Sequence, residues 1–287
     1  MTRVRKDSFD ADSDWQHFAA GAGASAINIL ATFPIFKVVF RQQVDGSRLF
    51  VALSQIKGEG LRYLFRGVLP PLIQKGVSVS LMFGLYHKFQ RDLNQALPLL
   101  PTQVNNSAAA IMAGSAEAIL TPLERVQTLL THRKHHERFS NTFHTVWELR
   151  TYGIKEYYRG VSAILLRNGP SNAIFFGFRG YLKDRLPEAQ TSMQNIFQDF
   201  VCGACLGASI STIFYPLSVV KMNMQKHLGG EFCGVRETFQ NIYTKRFRSL
   251  PRMYRGCLMN CSRAVVSWGI INASFEILLT GLRQIGT

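Results

Sequence analysis

Acidic residues are scarce in this chain: 18 Asp and Glu stand against 33 Lys and Arg among 287 residues, a formal net charge of +15. That imbalance suits nucleic acid, anionic lipid or an anionic small molecule. Cysteine is scarce as well. The five, Cys202, Cys205, Cys233, Cys257 and Cys261, are odd in number and confined to the last third of the chain, which excludes a disulfide framework. Cys202-Gly203-Ala204-Cys205 has CxxC spacing, but no second pair completes a metal site, and an apolar helix of small residues is a poor redox loop, so the cysteines read as inert. A nucleophile–base set, a metal constellation and a phosphate-cradling glycine loop are all missing. An enzyme is therefore disfavoured, and no cofactor or metal is expected.

Residues 1–14 lack an apolar core and mix Arg3, Arg5 and Lys6 with Asp7, Asp10, Asp12 and Asp14. They read as a disordered tail, neither a secretory signal nor a transit peptide, so targeting information is expected to be internal. Long unbroken apolar runs are also few, since mean hydropathy is only +0.03. Any membrane spans must then turn a polar stripe towards a water-filled cavity, and hydropathy alone leaves a soluble helical bundle open.

What is present is a repeat. Phe33-Pro34, Thr121-Pro122 and Tyr215-Pro216 each end an apolar run, at spacings of 88 and 94 residues. Downstream of each comes an aromatic residue followed by Arg-Gly: Phe65-Arg66-Gly67, Tyr158-Arg159-Gly160 and Tyr254-Arg255-Gly256, at spacings of 93 and 96. Two markers recurring three times in the same order define repeats over 15–97, 98–190 and 191–287.

Upstream of each proline lies a pair of small residues, Gly21 and Ser25, Ala109 and Ala113, Gly203 and Gly207, four apart and so on one helix face, where a second helix can approach closely. Six apolar stretches follow, roughly 16–40, 70–93, 107–130, 161–183, 198–225 and 257–282, each near the ~20 residues that cross a bilayer. Basic amphipathic segments such as 50–65 and 139–157 read as helices on the membrane interface. The run His132-Arg133-Lys134-His135-His136 reads as a solvated loop. A nucleic-acid binder would explain the charge, but its basic residues should form one continuous face, and here apolar spans separate them.

Pro34-Ile35-Phe36-Lys37-Val38-Val39, Pro122-Leu123-Glu124-Arg125-Val126-Gln127 and Pro216-Leu217-Ser218-Val219-Val220-Lys221 resemble the P-x-[DE]-x-x-[KR] signature of the mitochondrial carrier family. Glu59-Gly60 through Arg66-Gly67 completes its second half, whereas Tyr152-Gly153 and residues 248–256 are degenerate forms. The resemblance covers nearly the whole chain. It implies an all-α membrane protein with six transmembrane helices in three pseudo-symmetric repeats and short matrix amphipathic helices. It also implies an inner-membrane location, bound cardiolipin, and action as a monomer. Residues 33–43, 120–130, 166–177 and 267–273 are similar to carriers of nicotinamide adenine dinucleotide (NAD+) within that family. They imply import of NAD+ into the matrix by alternating access, with another nucleotide or a coenzyme A-type phosphate as the competing substrate.

In this family the third and sixth signature positions pair across repeats to close the matrix side. Carried over, the pairs are Phe36 with Gln127, Glu124 with Lys221, and Ser218 with Val39, of which only Glu124–Lys221 is ionic. Gln43 and Gln225 are expected to brace these pairs, and Pro34, Pro122 and Pro216 to act as hinges. Counting seven and eight residues beyond each Arg-Gly glycine gives the implied substrate positions: Gln74 and Lys75, Arg167 and Asn168, Arg263 and Ala264. Cations at one depth in lipid are costly and so point to function. Arg167 and Arg263 suit bidentate phosphate contacts, and Lys75 a point charge. Glu117 is expected to face the same cavity, either bonding a ribose diol or adenine amine or moderating the positive field. Ser78, Ser171 and Ser267 read equally as ribose contacts or packing residues. Asn172, Trp268 and Asn272 are weaker candidates for base contacts. On the cytoplasmic side Glu276, with Gln90 as partner, is the implied gate.

Overall fold

The computed structural model describes residues 11–98, 101–183, 185 and 192–285. Among them every regular element is a helix. The first repeat holds α1 (Ala11–Asp45), α2 (Leu49–Glu59), α3 (Leu61–Leu64) and α4 (Leu69–Ala96). The second holds α5 (Thr102–Ala116), a 3-10 turn (Glu117–Leu120), α6 (Thr121–Thr131), α7 (Thr142–Leu149), α8 (Ile154–Tyr157) and α9 (Val161–Lys183). The third holds α10 (Ser192–Ile213), α11 (Tyr215–Gln225), α12 (Val235–Lys245), α13 (Leu250–Met253) and α14 (Cys257–Ile285). Since α1 begins at Ala11, its first turn falls inside the segment expected to be a tail; residues 1–10 lie outside the described residues, as does the side chain of Cys202.

The three prolines have three local outcomes. Pro34 sits inside an unbroken α1. Pro122 lies in the first turn of α6, after the 3-10 turn, and Pro216 in the first turn of α11. A first-turn proline sacrifices no helical hydrogen bond, because that N–H has no partner within the helix anyway. Between α10 and α11 the axis bends by 59°. Ala19–Asp45 and Leu250–Leu282 are long and apolar enough to cross a membrane, and Cys205–Ile213 with Tyr215–Gln225 qualify as one broken span. Helices α4 and α9 do not stand out by that measure, since Lys75 and Arg167 and their polar neighbours dilute them.

The expected small-residue faces are realised unevenly. Ala109 and Ala113 are fully buried and pack with Tyr86 of α4. On α1 the close approach instead uses Ala20 and Ala24, both fully buried, with Gly23 so near α14 that a Cβ there would lie 2.8 Å from Leu278. Gly21 and Ser25 line an open groove beside α4, and Gly207 faces open space. Helices α5 and α9 cross through Gly114, whose added Cβ would meet Asn172 Nδ2 at 2.6 Å.

The Arg-Gly turns join each repeat to the next in a ring. Gly67, Gly160 and Gly256 have φ of 86°, 87° and 94°, a left-handed conformation that costs other residues about 1–2 kcal/mol. Each also lies against the end of a proline-bearing segment of another repeat: Gly67 against Leu130 and Thr131, Gly160 against Met224 and Gln225, Gly256 against Gln42, with Tyr215 of its own repeat alongside. The adjoining arginines cap the loops beyond. Arg159 donates to Gly230 O at 2.8 Å and Arg255 to Gly46 O at 2.6 Å.

Buried cations lock the same layer. Lys37, three residues past its proline, donates to Tyr63 O; Arg125, at the matching place in repeat two, donates to Glu156 O at 3.3 Å, to Glu156 Oε1 at 2.5 Å and to His227 O. Repeat three has Val219 there, packed in a cluster with Met253, and Arg246 donates to Arg252 O at 2.8 Å in its place. Arg41 pairs with Glu59 at 2.6 Å.

The histidine-rich run is not a solvated loop. Arg133 and Lys134 are exposed, but His132 is buried with its ring 6.4 Å from Phe40, and His136 stacks on Tyr63 at 4.8 Å. Burial, reinforced by His135 and Lys226, holds His132 down to about 3. Burial, with Arg66 and Lys37 nearby, holds His136 down to about 4. Both stay neutral at physiological pH because they are packed into the joint between repeats.

Candidate functional site

Helices α4, α9 and α14 bring the expected polar positions towards one another, and the segment from α5 to α6 supplies the acids. Glu117 stands in the 3-10 turn, where the loss of regular helix lets it reach two neighbours. Its Oε1 accepts from Ser78 Oγ on α4 at 2.7 Å, and its Oε2 from Asn168 Nδ2 on α9 at 3.3 Å. Seven residues on, Glu124 accepts from Gln74 Nε2 at 3.1 Å and from Lys221 Nζ on α11 at 2.9 Å. Gln74 and Ser78, one turn apart on α4, thus dock on Glu124 and Glu117 as two rungs.

The three cations are differently placed. Lys75, Arg167 and Arg263 make no side-chain hydrogen bond or ion pair among the described residues. Arg263 Nε is buried without a partner. Arg167 lies within electrostatic reach of Glu117, Glu124, Lys221 and Arg263, and Lys75 within reach of Glu117. Ser171 Oγ and Asn172 Nδ2 are also buried and unpartnered. Positive charge and unused hydrogen-bonding capacity are therefore gathered in this part of the molecule among the described residues.

Below this layer the chain closes where α1, α6 and α11 converge. Lys221 is buried, and one turn beyond the Glu124–Lys221 pair Thr128 Oγ1 donates to Gln225 Oε1 at 3.1 Å, so α6 and α11 share two successive rungs. The other two expected pairs have no ionic character. Phe36 packs against rings of its own helix, tilted 36° to Phe33 at 5.5 Å and 43° to Phe40 at 6.2 Å. Val39 is buried, and Ser218 Oγ turns back to Phe214 O at 3.4 Å. Gln127 is half-buried, and Gln43 engages through its backbone carbonyl, which accepts from Asn223 Nδ2 at 3.1 Å and from Arg246 at 2.6 Å. At the opposite end Gln90 donates to Asn106 at 2.7 Å, and Glu276 is exposed. Among the described residues no Glu276–Gln90 hydrogen bond is formed, and Gln90, engaged with Asn106, ties α4 to α5.

Sequence reasoning missed Asn223, Arg246 and Thr128 as closing residues. Thr128 and Asn223 lie just past the sixth signature position, and Arg246 lies far outside the signature; spacing alone did not distinguish them.

The chain matches the family described as mitochondrial carrier protein over residues 10–96, 100–190 and 192–285, one match per repeat. It is 46% identical over 266 residues to the mitochondrial nicotinamide adenine dinucleotide transporter SLC25A51 of Homo sapiens, covering 93% of this chain and 89% of that one. It is 45% identical, with the same coverage, to the transporter of the same description, SLC25A52, of Homo sapiens. With solute carrier family 25 member 53 of Homo sapiens it shares 34% over 92% of this chain and 87% of that one. The three-part match and the threefold ring of Arg-Gly turns agree, and the chain belongs to the mitochondrial carrier family.

Proposed function

We propose that this chain is a mitochondrial inner-membrane transporter that imports NAD+ from cytosol to matrix by alternating access. Three cations that make no hydrogen bond or ion pair among the described residues, Lys75, Arg167 and Arg263, lie above a closed layer, and this is the observation that carries the reading. The pyrophosphate of NAD+ supplies two negative charges for them, with the arginines making bidentate contacts and Lys75 a point contact. Glu117, held by Ser78 and Asn168, limits the net positive field and offers an acceptor to a ribose diol, an adenine amine or the cationic nicotinamide. The names of the relatives at 46% and 45% identity support the same substrate.

In this reading α1, α4, the α5–α6 segment, α9, the α10–α11 segment and α14 make six crossings, and the layer of Glu124, Lys221, Thr128 and Gln225 is the closed matrix gate. Phe50, Phe143, Trp147 and Ile154, all exposed on the short helices between, rest against lipid, with cardiolipin as an anionic partner, and the chain acts as a monomer. Substrate held by Lys75 draws on α4, and Gln74, the next residue, is withdrawn from Glu124. Binding energy thereby weakens the gate.

The test is uptake of labelled NAD+ into liposomes containing the purified protein, with other nucleotides and coenzyme A as competitors. Saturable NAD+ uptake supports the reading. Uptake of other nucleotides with none of NAD+ overturns the substrate.

A further inference from the structure

Cys257 and Cys261, inert in the sequence reading, stand one turn apart on α14 and face α10. Thr212 Oγ1 lies 3.8 Å from Cys257 Sγ and 3.9 Å from Cys261 Sγ, so one hydroxyl touches both thiols. Both are free and half-buried. Beside them Asn260 Nδ2 donates to Ser211 Oγ at 2.9 Å, so the thiols belong to the joint between α10 and α14. Immediately beyond Thr212 the fifth segment breaks and turns by 59° into α11, which carries Lys221. In the other direction Arg263 follows Cys261 by two residues.

We infer that Cys257 and Cys261 form a dithiol site for soft, thiophilic ligands that take two sulfurs, trivalent organoarsenicals being the defining class, and that ligation there blocks transport. Side chains four apart on a helix have Cβ atoms about 5–6 Å apart, within reach of one bridging atom, and soft sulfur donors select soft acceptors. With an arsenoxide the step balances without any redox change. Two As–S bonds form, two S–H bonds break, and the arsenical oxygen leaves with both protons as water. The bridge replaces the thiol contacts to Thr212 and fixes the first turn of α14 beside the bend. The part concerning transport rests on the function proposed above; the binding part does not.

The test uses the full-length protein and phenylarsine oxide. Folded protein should gain one arsenical per chain by mass, less one water, with loss of two alkylatable thiols. A dithiol should remove it and a monothiol should not. Cys257→Ser and Cys261→Ser should each abolish the bridged adduct, whereas a variant lacking Cys202, Cys205 and Cys233 should keep it. In liposomes the reagent should reduce wild-type uptake to the protein-free background, restored by dithiol, and leave Cys257→Ser uptake unaffected. A bridged adduct that persists in both single variants overturns the site. A bridged adduct on Cys257 and Cys261 that leaves uptake unchanged overturns the block. Absence of NAD+ uptake in untreated protein counts against the proposed function alone, since the mass readout stands without it.

Discussion

Gln74 donates to the same carboxylate that receives Lys221: Glu124 is held by the amide at 3.1 Å through one oxygen and by the ammonium at 2.9 Å through the other. One acid thus joins a residue beside the substrate cations to the only ionic rung of the gate identified among the described residues. The strength of that rung depends on what happens to α4.

Removing the amide should loosen the closed state without destroying it. A hydrogen bond to a charged group contributes roughly 1.5–3 kcal/mol, less where water can replace it, as at this partly exposed carboxylate. Gln74→Ala should lower the melting temperature of the detergent-purified protein by a few degrees, and Lys221→Gln by more, because it removes the ammonium that Glu124 accepts from directly. Differential scanning fluorimetry decides this. A Gln74→Ala protein as stable as the parent contradicts the link.

The pair itself can be reversed. Glu124→Lys and Lys221→Glu alone should each depress uptake, and the double swap should recover part of it, since Gln74 can offer its carbonyl to Lys as readily as its N–H to Glu. No recovery in liposome uptake, with both proteins folded, counts against the pairing.

The turn geometry predicts opposite outcomes at two glycines. Gly256→Ala forces a Cβ to within 2.5 Å of the Tyr215 hydroxyl at a φ of +94°, and should cost about 1–2 kcal/mol for the backbone plus about 1–3 kcal/mol for overpacking. Gly58, inside α2 with open space around it, should gain up to about 1 kcal/mol from the same change. Melting temperatures of the two variants should move apart.

The neutral histidines set an acid limit. The unfolded chain binds protons at His132 and His136 near pH 6.5, while the folded chain holds them off until about 3 and about 4. The unfolded state therefore binds more protons across that window, so stability rises with pH there and falls as pH drops below about 6.5. Melting temperature should decline between pH 7 and pH 5, and His136→Phe, which keeps a ring against Tyr63 and cannot titrate, should flatten the decline.

Much of this architecture was legible because its markers are backbone requirements. A glycine that must be left-handed, and a proline that opens a helix in two repeats and sits within one in the first, recur whatever surrounds them, so three prolines and three Arg-Gly pairs located the repeats. Partners across repeats were not legible. Arg125 meets Glu156 and the carbonyl of His227, a residue of the next repeat, and that contact follows from closure of the ring, which no local spacing encodes. The same applies to Arg246, which substitutes from just beyond α12 for the cation missing at Val219. The small-residue faces shifted on α1 because two positions per turn were compatible with the pattern, and packing against α14 selected Ala20 and Ala24.

In the proposed function Lys75, Arg167 and Arg263, which make no hydrogen bond or ion pair among the described residues, recognise the pyrophosphate of NAD+. Initial rates of labelled NAD+ uptake should be compared in liposomes containing wild-type protein, Arg167→Lys and Arg167→Gln. Loss of one charged, bidentate contact of roughly 1.5–3 kcal/mol corresponds to about a 10- to 100-fold fall in transport efficiency for Arg167→Gln, with Arg167→Lys between. Uptake by Arg167→Gln equal to that of the wild type would contradict the account.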